Sequence, residues 1–151
     1  MKPVDVASAT HAMAGKVPDD KLSIVMSSGT ADKFIPLGIF VQSAAAIGME
    51  VNVLVTGFAL HAFTKEPHDV PFPTEFLAVA PALTKGMQAS HIDTWQTMLA
   101  QAKKLGAKVY ACSMMSSAMG LRREDFNDLV DDLIGAATFL LMAEHGETLF
   151  I

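Results

Sequence analysis

Short apolar runs alternate with longer stretches of helical spacing along most of the chain, and this pattern predicts repeated strand–helix units. The run Leu22–Met26 predicts a first buried strand. A helix from about Asp32 to Ile47 follows it and leads to a second strand at Val51–Val55. A strand, a helix and a strand of these lengths imply parallel pairing through a right-handed crossover.

The second half of the chain continues the alternation. Ser90, with Asp93 three residues later, predicts the start of a helix that runs to about Leu105, and a third strand follows at Ala107–Cys112. The remaining elements are predicted as a tight turn, a helix, a segment that fits either a helix end or a short strand, a helix and a final strand: Ser113–Gly120, Arg123 to about Leu129, Val130–Ile134, Ala136–Ala143 and Thr148–Ile151. Together these elements predict one three-layer α/β/α domain over residues 1–151, with a mainly parallel five-stranded sheet.

Two parts of the chain break this alternation. The small and polar residues 1–20 are expected either to form a flexible arm or to dock on a neighbouring subunit. The middle of the chain, residues 58–90, has helical spacing only at its start and is then interrupted by Pro67, Pro71, Pro73 and Pro81. A segment this long and irregular is typical of a lid, a binding loop or an interface.

The composition excludes several functions. With 16 acidic and 11 basic residues and no clustered basic patch, the chain does not fit a nucleic-acid binder. No apolar stretch reaches the roughly 18–20 residues of a membrane helix, and no signal-peptide pattern is present. Hydrophobic residues make up 51% of the chain, which favours a homo-oligomer. One cysteine cannot form an internal disulfide, so a cytoplasmic location is expected.

Cys112 is the leading candidate for chemistry. It stands at the carboxyl end of a predicted parallel strand, where open α/β sheets place their ligands. Backbone N–H groups of the turn from Ser113 to Ser116 would favour a thiolate there. The alternative is a buried, inert cysteine that packs as a small hydrophobic residue.

Other residues could complete a site around Cys112. The loop Ser27-Ser28-Gly29-Thr30 follows the first strand and fits either an anion cradle or an ordinary turn. Met114, Met115 and Met119 suit core packing or, with Cys112 and His61, a soft-metal site. His61 and His68 lie around the irregular middle segment and fit an acid, a base or a ligand, or a simple structural role.

Several of these segments resemble the DsrE/DsrF-like sulfur-carrier family, in the branch labelled peroxiredoxin-like. The resemblance is carried by a strand that ends in Ala111-Cys112, the Met/Ser turn after it, Met119-Gly120 with a following polar helix, the segment Gly135-Ala136-Ala137-Thr138-Phe139-Leu140, and the terminal Leu149-Phe150-Ile151. The opening strand through Ser27-Ser28-Gly29 fits as well.

The resemblance implies a flavodoxin-like sheet, an oligomer, and a cysteine that holds sulfane sulfur as a persulfide or thiosulfonate. By this match Cys112 is the carrier, no cofactor is needed, and the partner is a TusA-like or rhodanese-like sulfur-transfer protein. Some relatives have a second cysteine, which this chain lacks. A peroxidase cycle closed by an internal disulfide is therefore impossible, whereas sulfur transfer needs only one thiol. The alternative function is a module that binds a nucleotide, flavin, anion or soft metal, with a structural Cys112.

Overall fold

A computed structural model describes residues 20–66 and 69–151. It contains five parallel strands in the order β4-β3-β2-β1-β5. The strands are β1 Lys21–Met26, β2 Glu50–Val55, β3 Lys108–Cys112, β4 Asp132–Ile134 and β5 Glu147–Phe150. The predictions for residues 1–19 and for His68 lie outside the described residues.

In the described part of the chain, five α-helices and three short 3-10 helices connect or flank these strands. The α-helices are α1 Ala31–Ala46, α2 Ala80–Ala89, α3 Trp95–Lys104, α4 Ser113–Ala118 and α5 Ala136–Met142, and the 3-10 helices are Gly57–Phe63, Thr74–Phe76 and Arg123–Asp125. The predicted three-layer α/β/α fold with a parallel five-stranded sheet is confirmed.

The first face of the sheet carries the main hydrophobic core. Side chains alternate along a strand, so Ile24 of β1 and Val53 of β2 point to this face, where α1 and α3 cover them. Phe34 of α1 and Trp95 of α3 have ring centroids 4.5 Å apart. The two helices approach so closely that a Cβ on Gly38 would lie 2.9 Å from the Met98 sulfur. The bulk of the apolar packing therefore lies on this face.

The second face of the sheet has a smaller core of three buried residues: Leu54, Cys112 and Phe139. Phe139 belongs to α5. On this face the strands also present a polar row, in the register Lys108–Asn52–Ser23–Thr148. Ser23 and Asn52 in this row are buried, and the Ser23 hydroxyl has no hydrogen-bond partner among the described residues. The second face is therefore both smaller and more polar than the first.

The structure corrects the predicted start of the helix before β3. Ser90 ends α2, and α3 begins after Thr94, whose hydroxyl accepts a hydrogen bond from the Thr97 N–H at 3.3 Å. The predicted helix start is wrong because proline usually interrupts a helix, whereas Pro81 does not interrupt one here. It lies instead in the first turn of α2, where proline is tolerated because that N–H has no partner within the helix.

The structure also corrects the segment between β3 and β5. The predicted tight turn contains the helix α4, Ser113–Ala118, and the chain then leaves the helix through Gly120, which has φ of +69°. The helix predicted from Arg123 to Leu129 shrinks to the single 3-10 turn Arg123–Asp125. The ambiguous segment Val130–Ile134 contains a strand, because Asp132 pairs with Tyr110 of β3.

Candidate functional site

Cys112 is the last residue of β3 and immediately precedes the first turn of α4. Its backbone is extended, with φ of −67° and ψ of 115°, and it pairs in register with Ile134 of β4. Its side chain belongs to the cluster on the second face of the sheet. The strand end and the helix start thus fix the cysteine at the carboxyl edge of the sheet, as its position in the sequence predicts.

The thiol of Cys112 is almost completely covered. The residue is 7% exposed, and it packs in one cluster with Leu54 and with Phe139 of α5. Met115 and Ile134, both half-buried, pack against the same cluster. These walls are hydrocarbon and thioether, so they exclude water from the sulfur atom. A reagent in solution can reach the thiol only if part of this cover moves.

The residues of α4 that were predicted to help Cys112 separate into different roles. Met115 packs against the clusters on both faces of the sheet, whereas Met114 is 78% exposed and points to solvent. Ser113 lies beside the start of α5, since its hydroxyl would be 3.9 Å from a Cβ placed on Gly135. The hydroxyl of Ser116 is buried and has no hydrogen-bond partner among the described residues.

The loop Ser27–Thr30 is closed by the protein's own groups. The N–H of Ala31, in the first turn of α1, donates to the carbonyl of Pro71 at 2.9 Å. The Thr30 hydroxyl donates to the Asp32 carboxylate and lies 3.0 Å from the Ser28 hydroxyl. The Ser27 hydroxyl donates to the Ile151 carbonyl. A carboxylate and a carbonyl therefore already lie at the helix end that was expected to cradle an anion.

His61 lines two surface cavities, and Cys112 lines neither of them. One cavity of about 380 Å³ is lined by Gly29, Phe58, His61, Asp69 and Pro71. Cys112 does not line it, so the structure does not join the thiol, the Ser27–Thr30 loop and His61 around one cavity. Within residues 20–66 and 69–151, no group of three or more His, Cys, Asp or Glu side chains could hold a metal ion.

The structure adds two residues to the site that sequence reasoning did not select. Phe139, on α5, covers the thiol. Lys21 contacts the carboxyl-terminal end of α5 through a hydrogen bond from its Nζ to the Met142 carbonyl at 2.6 Å. Phe139 stands in the segment Gly135–Leu140, which carries part of the family resemblance, and that was the available signal. Lys21 gave none, because its contact spans 121 residues of sequence.

The fold and the site define a class: an α/β/α domain with an all-parallel sheet and a covered cysteine at the carboxyl end of a strand. Residues 73–151 match the model of the DsrE/DsrF/DrsH-like family. The chain belongs to this family, which is of the sulfur-relay type, and the resemblance seen in the sequence is confirmed. The match includes β3, α4, α5 and β5, and so the elements that hold and cover Cys112.

Similar proteins support the same fold. The uncharacterized protein YrkE of Bacillus subtilis (strain 168) is 27% identical over 156 residues, covering 87% of this chain and 96% of that protein. The solved structure of ychN from E. coli aligns with a TM-score of 0.57 at 9% identity, over 87% of this chain and 97% of that one. A protein of unknown function, MTH1491 from Methanobacterium thermoautotrophicum, aligns with a TM-score of 0.56 at 13% identity, over 88% and 100%.

Helix length bears on membrane insertion. Across the described parts of the chain, no helix combines the length and apolar character needed to span a bilayer.

Proposed function

We propose that this protein is a sulfur carrier in which Cys112 accepts sulfane sulfur and passes it to a partner protein. One observation carries the proposal: the chain's single cysteine stands at the carboxyl end of β3, between the strand and α4, in a family of the sulfur-relay type. Parallel sheets place reactive groups at this edge. One thiol is sufficient for the chemistry.

The transfer with thiosulfate as donor is balanced without any other reactant. The Cys112 thiolate attacks the sulfane sulfur, a new S–S bond forms, the S–S bond of thiosulfate breaks, and sulfite leaves with the electron pair. In the second step an acceptor thiolate attacks the outer sulfur of the persulfide, and the Cys112 thiolate leaves. Cys112 returns to its starting state, so the protein acts as a carrier.

The buried position of Cys112 suits a carrier in one respect. A persulfide is a stronger nucleophile than a thiol and is readily oxidised, so its lifetime depends on exclusion of water and oxidants. Leu54, Phe139 and Ile134 supply an apolar enclosure for the loaded sulfur. The same enclosure requires that donor and acceptor meet the cysteine in an opened state, which makes sulfur exchange dependent on a conformational step.

Mass spectrometry of the intact protein tests the proposal. The chain is incubated with thiosulfate and, separately, with inorganic polysulfide, and the expected result is the gain of one sulfur atom on the wild-type chain. Cys112→Ser is the control and should gain none, because the chain has no other thiol. A rhodanese loaded in parallel shows that the donors are active.

Two results would count against the carrier. If the wild-type chain gains no sulfur under conditions that load the rhodanese, Cys112 is a packing residue. If the loaded chain transfers nothing to a TusA-like or rhodanese-like acceptor, the partner proposal is wrong. Binding of a flavin, a nucleotide or Cu(I), measured by thermal stabilisation and metal analysis of the purified protein, would favour the alternative of a binding module.

A homo-oligomer is part of the same proposal. Its support is the set of large apolar side chains on the surface of the described residues, including Phe40, Ile47, Phe58 and Leu105. Patches of this kind on small domains commonly mark subunit interfaces. Light scattering of the purified protein at several concentrations tests it, and a mass equal to one chain at every concentration would exclude an oligomer.

A further inference from the structure

Helix α5 lies between Cys112 and solvent. It has seven residues, and Phe139, which is 1% exposed, packs from it onto the cysteine. Leu140 and Leu141, the next two residues, point outward and are 66% and 73% exposed. A helix this short is not stable on its own in water, because the cost of nucleation exceeds what two turns return. Its position on the sheet therefore depends on a small number of tertiary contacts.

The amino-terminal end of α5 is built for bending. Gly135 separates the helix from β4, so the joint lies one residue after Ile134, the residue that pairs with Cys112. The backbone at Gly135 has φ of −80° and ψ of 157°, which an alanine also adopts. A Cβ there would meet only the Ser113 hydroxyl, at 3.9 Å. Gly135 is also the N-cap of α5, a position that favours glycine over alanine, and its backbone has more conformational freedom than that of any other residue.

At the carboxyl-terminal end of α5, just before the chain enters β5, the side chain of Lys21 reaches across from β1. Lys21 Nζ donates to the Met142 carbonyl at 2.6 Å and lies 3.4 Å from the Glu144 carbonyl. The same amine is 3.8 Å from the Glu50 carboxylate. A cation at the end of a helix interacts favourably with the helix dipole and satisfies carbonyls that have no partner within the helix. Lys21 therefore ties α5 to the first strand of the sheet.

We propose that α5 is a hinged cover over Cys112, with Gly135 as its hinge and Lys21 as the latch that sets how often the cover opens. The use of this opening for sulfur exchange rests on the proposed carrier function, but the opening itself is a property of the fold. In the closed state Phe139 seals the thiol. In the open state the Lys21 contacts break, the helix rotates about Gly135, and donor or acceptor reaches the sulfur atom.

The rate of alkylation of Cys112 in the folded full chain measures the opening. Since the chain has one cysteine, the thiol reactivity of the whole protein is that of Cys112. When the cover closes faster than iodoacetamide reacts, the alkylation rate is proportional to the population of the open state. Lys21→Met keeps an aliphatic chain of similar length and removes the charge and the donor. It should raise the rate roughly threefold to tenfold, the range expected for loss of a partly exposed charged hydrogen bond.

Lys103→Met is the matched control. Lys103 is exposed to the same degree as Lys21, 19% against 21%, and also donates to a backbone carbonyl, that of Leu129 at 2.8 Å. It makes the shorter ion pair, 2.8 Å to Asp131, so its loss should destabilise the whole fold at least as much. It does not touch α5. If alkylation reported general destabilisation, Lys103→Met would be the faster variant, whereas the cover predicts a rate near that of the wild type.

Gly135→Ser tests the hinge with the opposite sign, because serine is at least as good an N-cap as glycine. The substitution fits the backbone and the available space, and it removes conformational freedom from the opened state. The alkylation rate should fall roughly twofold to fivefold. This variant also protects the test if Lys21→Met does not fold.

The results that would overturn the cover are specific. An increase with Lys21→Met no larger than that with Lys103→Met would overturn it, as would an unchanged or increased rate with Gly135→Ser. These outcomes are separable from failure of the carrier. A chain that shows the predicted alkylation pattern and gains no sulfur from polysulfide supports the cover and removes the proposed function. If all three variants gain sulfur at the same rate, the proposed cover is overturned and the proposed carrier function remains.

Discussion

The two faces of the sheet differ in what their cores are made of. On the first face, three large aromatic rings pack together: Trp95 lies 4.5 Å from Phe34 and 5.2 Å from Phe63, centroid to centroid. On the second face, Phe139 of a seven-residue helix packs on Cys112, beside a row of polar residues. The first face therefore supplies most of the stability of the fold, and we propose that the second face controls access to the thiol.

The largest effects should come from truncating the ring on each face. Phe34→Ala removes a buried ring from the main core and should cost about 3–5 kcal/mol in the free energy of unfolding. Phe139→Ala should cost only about 1.5–3 kcal/mol, the transfer term alone, because a two-turn helix can move away from the sheet and leave no cavity behind. It should nevertheless raise alkylation of Cys112 by about tenfold or more, since it opens the cover itself. Urea unfolding measures the loss of stability, and iodoacetamide kinetics measure the exposure of Cys112. Equal losses of stability in the two variants would contradict the proposed difference between the faces.

Because the first face is tightly packed, a single added methyl group there should lower the stability of the fold. Gly38→Ala places its Cβ 2.9 Å from the Met98 sulfur and 3.0 Å from the Trp95 Cα, so α1 and α3 must separate. The expected loss is about 1–3 kcal/mol of stability. Gly86→Ala on α2 is the matched control, because no atom lies within 4 Å of its Cβ, and it should gain about 0.5–1 kcal/mol from helix propensity. Thermal unfolding separates them, and a Gly38→Ala chain as stable as wild type would show slack packing on this face.

The polar row of the second face predicts a smaller effect. Ser23 is buried, and its hydroxyl has no hydrogen-bond partner within residues 20–66 and 69–151, so Ser23→Ala should leave stability unchanged or raise it by up to about 1 kcal/mol. Thr64, whose buried hydroxyl donates to the His61 carbonyl at 2.9 Å, offers the contrast. Thr64→Val should lose about 0.5–1.5 kcal/mol. A clear loss of stability with Ser23→Ala would mean that its hydroxyl has a partner in solution.

The smallest effect concerns the edge of the second face at high pH. Burial, followed by the nearby carboxylates of Asp131, Asp132 and Glu50, raises the pKa of Tyr110 above 10.0. The unfolded chain then ionises first as the pH rises. The contribution of Tyr110 to stability is therefore complete below about pH 10 and is lost as the pH rises through its folded-state pKa.

Two measurements check the prediction for Tyr110. The chain has one tyrosine, so ultraviolet absorbance reports its ionisation directly. Urea unfolding on both sides of pH 10 should show a decline in wild type that is weaker in Tyr110→Phe. A titration midpoint at or below 10 would contradict the shift.

Sequence patterns predicted β1, β2 and β3 well because each is a short, mainly apolar run that the sheet buries, whereas the more exposed β4 was left open between a helix end and a strand. The predicted strands Leu22–Met26 and Val51–Val55 differ from β1 and β2 by one residue at one end. The helix α2 was not predicted because Pro81 indicates a helix break. The sequence alone does not show that this proline lies in the first turn of a helix. The short helix α4 was missed because six residues carry too little periodicity to distinguish a helix from a turn.

Of the site residues, only Cys112 could be predicted from its local position in the sequence. Cys112 could be placed at the carboxyl end of a strand from the sequence, and the structure has it there. Its cover could not be predicted, because Phe139 reaches it through the pairing of β3 with β4 and the return of the chain across the sheet. The contact of Lys21 with Met142 is longer still in sequence, and no local pattern encodes it.

The carbonyl of Pro71 on the first turn of α1 bears on which small molecules this edge of the sheet accepts. A phosphate group binds a helix N-terminus through the same N–H that Pro71 now occupies. Because Pro71 belongs to the same chain, it competes at a high effective concentration that no dilution lowers. A nucleotide or flavin would have to displace this tethered competitor and tolerate the adjacent Asp32 carboxylate. The Pro71 carbonyl and the Asp32 carboxylate therefore disfavour a phosphate group at this helix end, while Cys112 lies on the other face of the sheet.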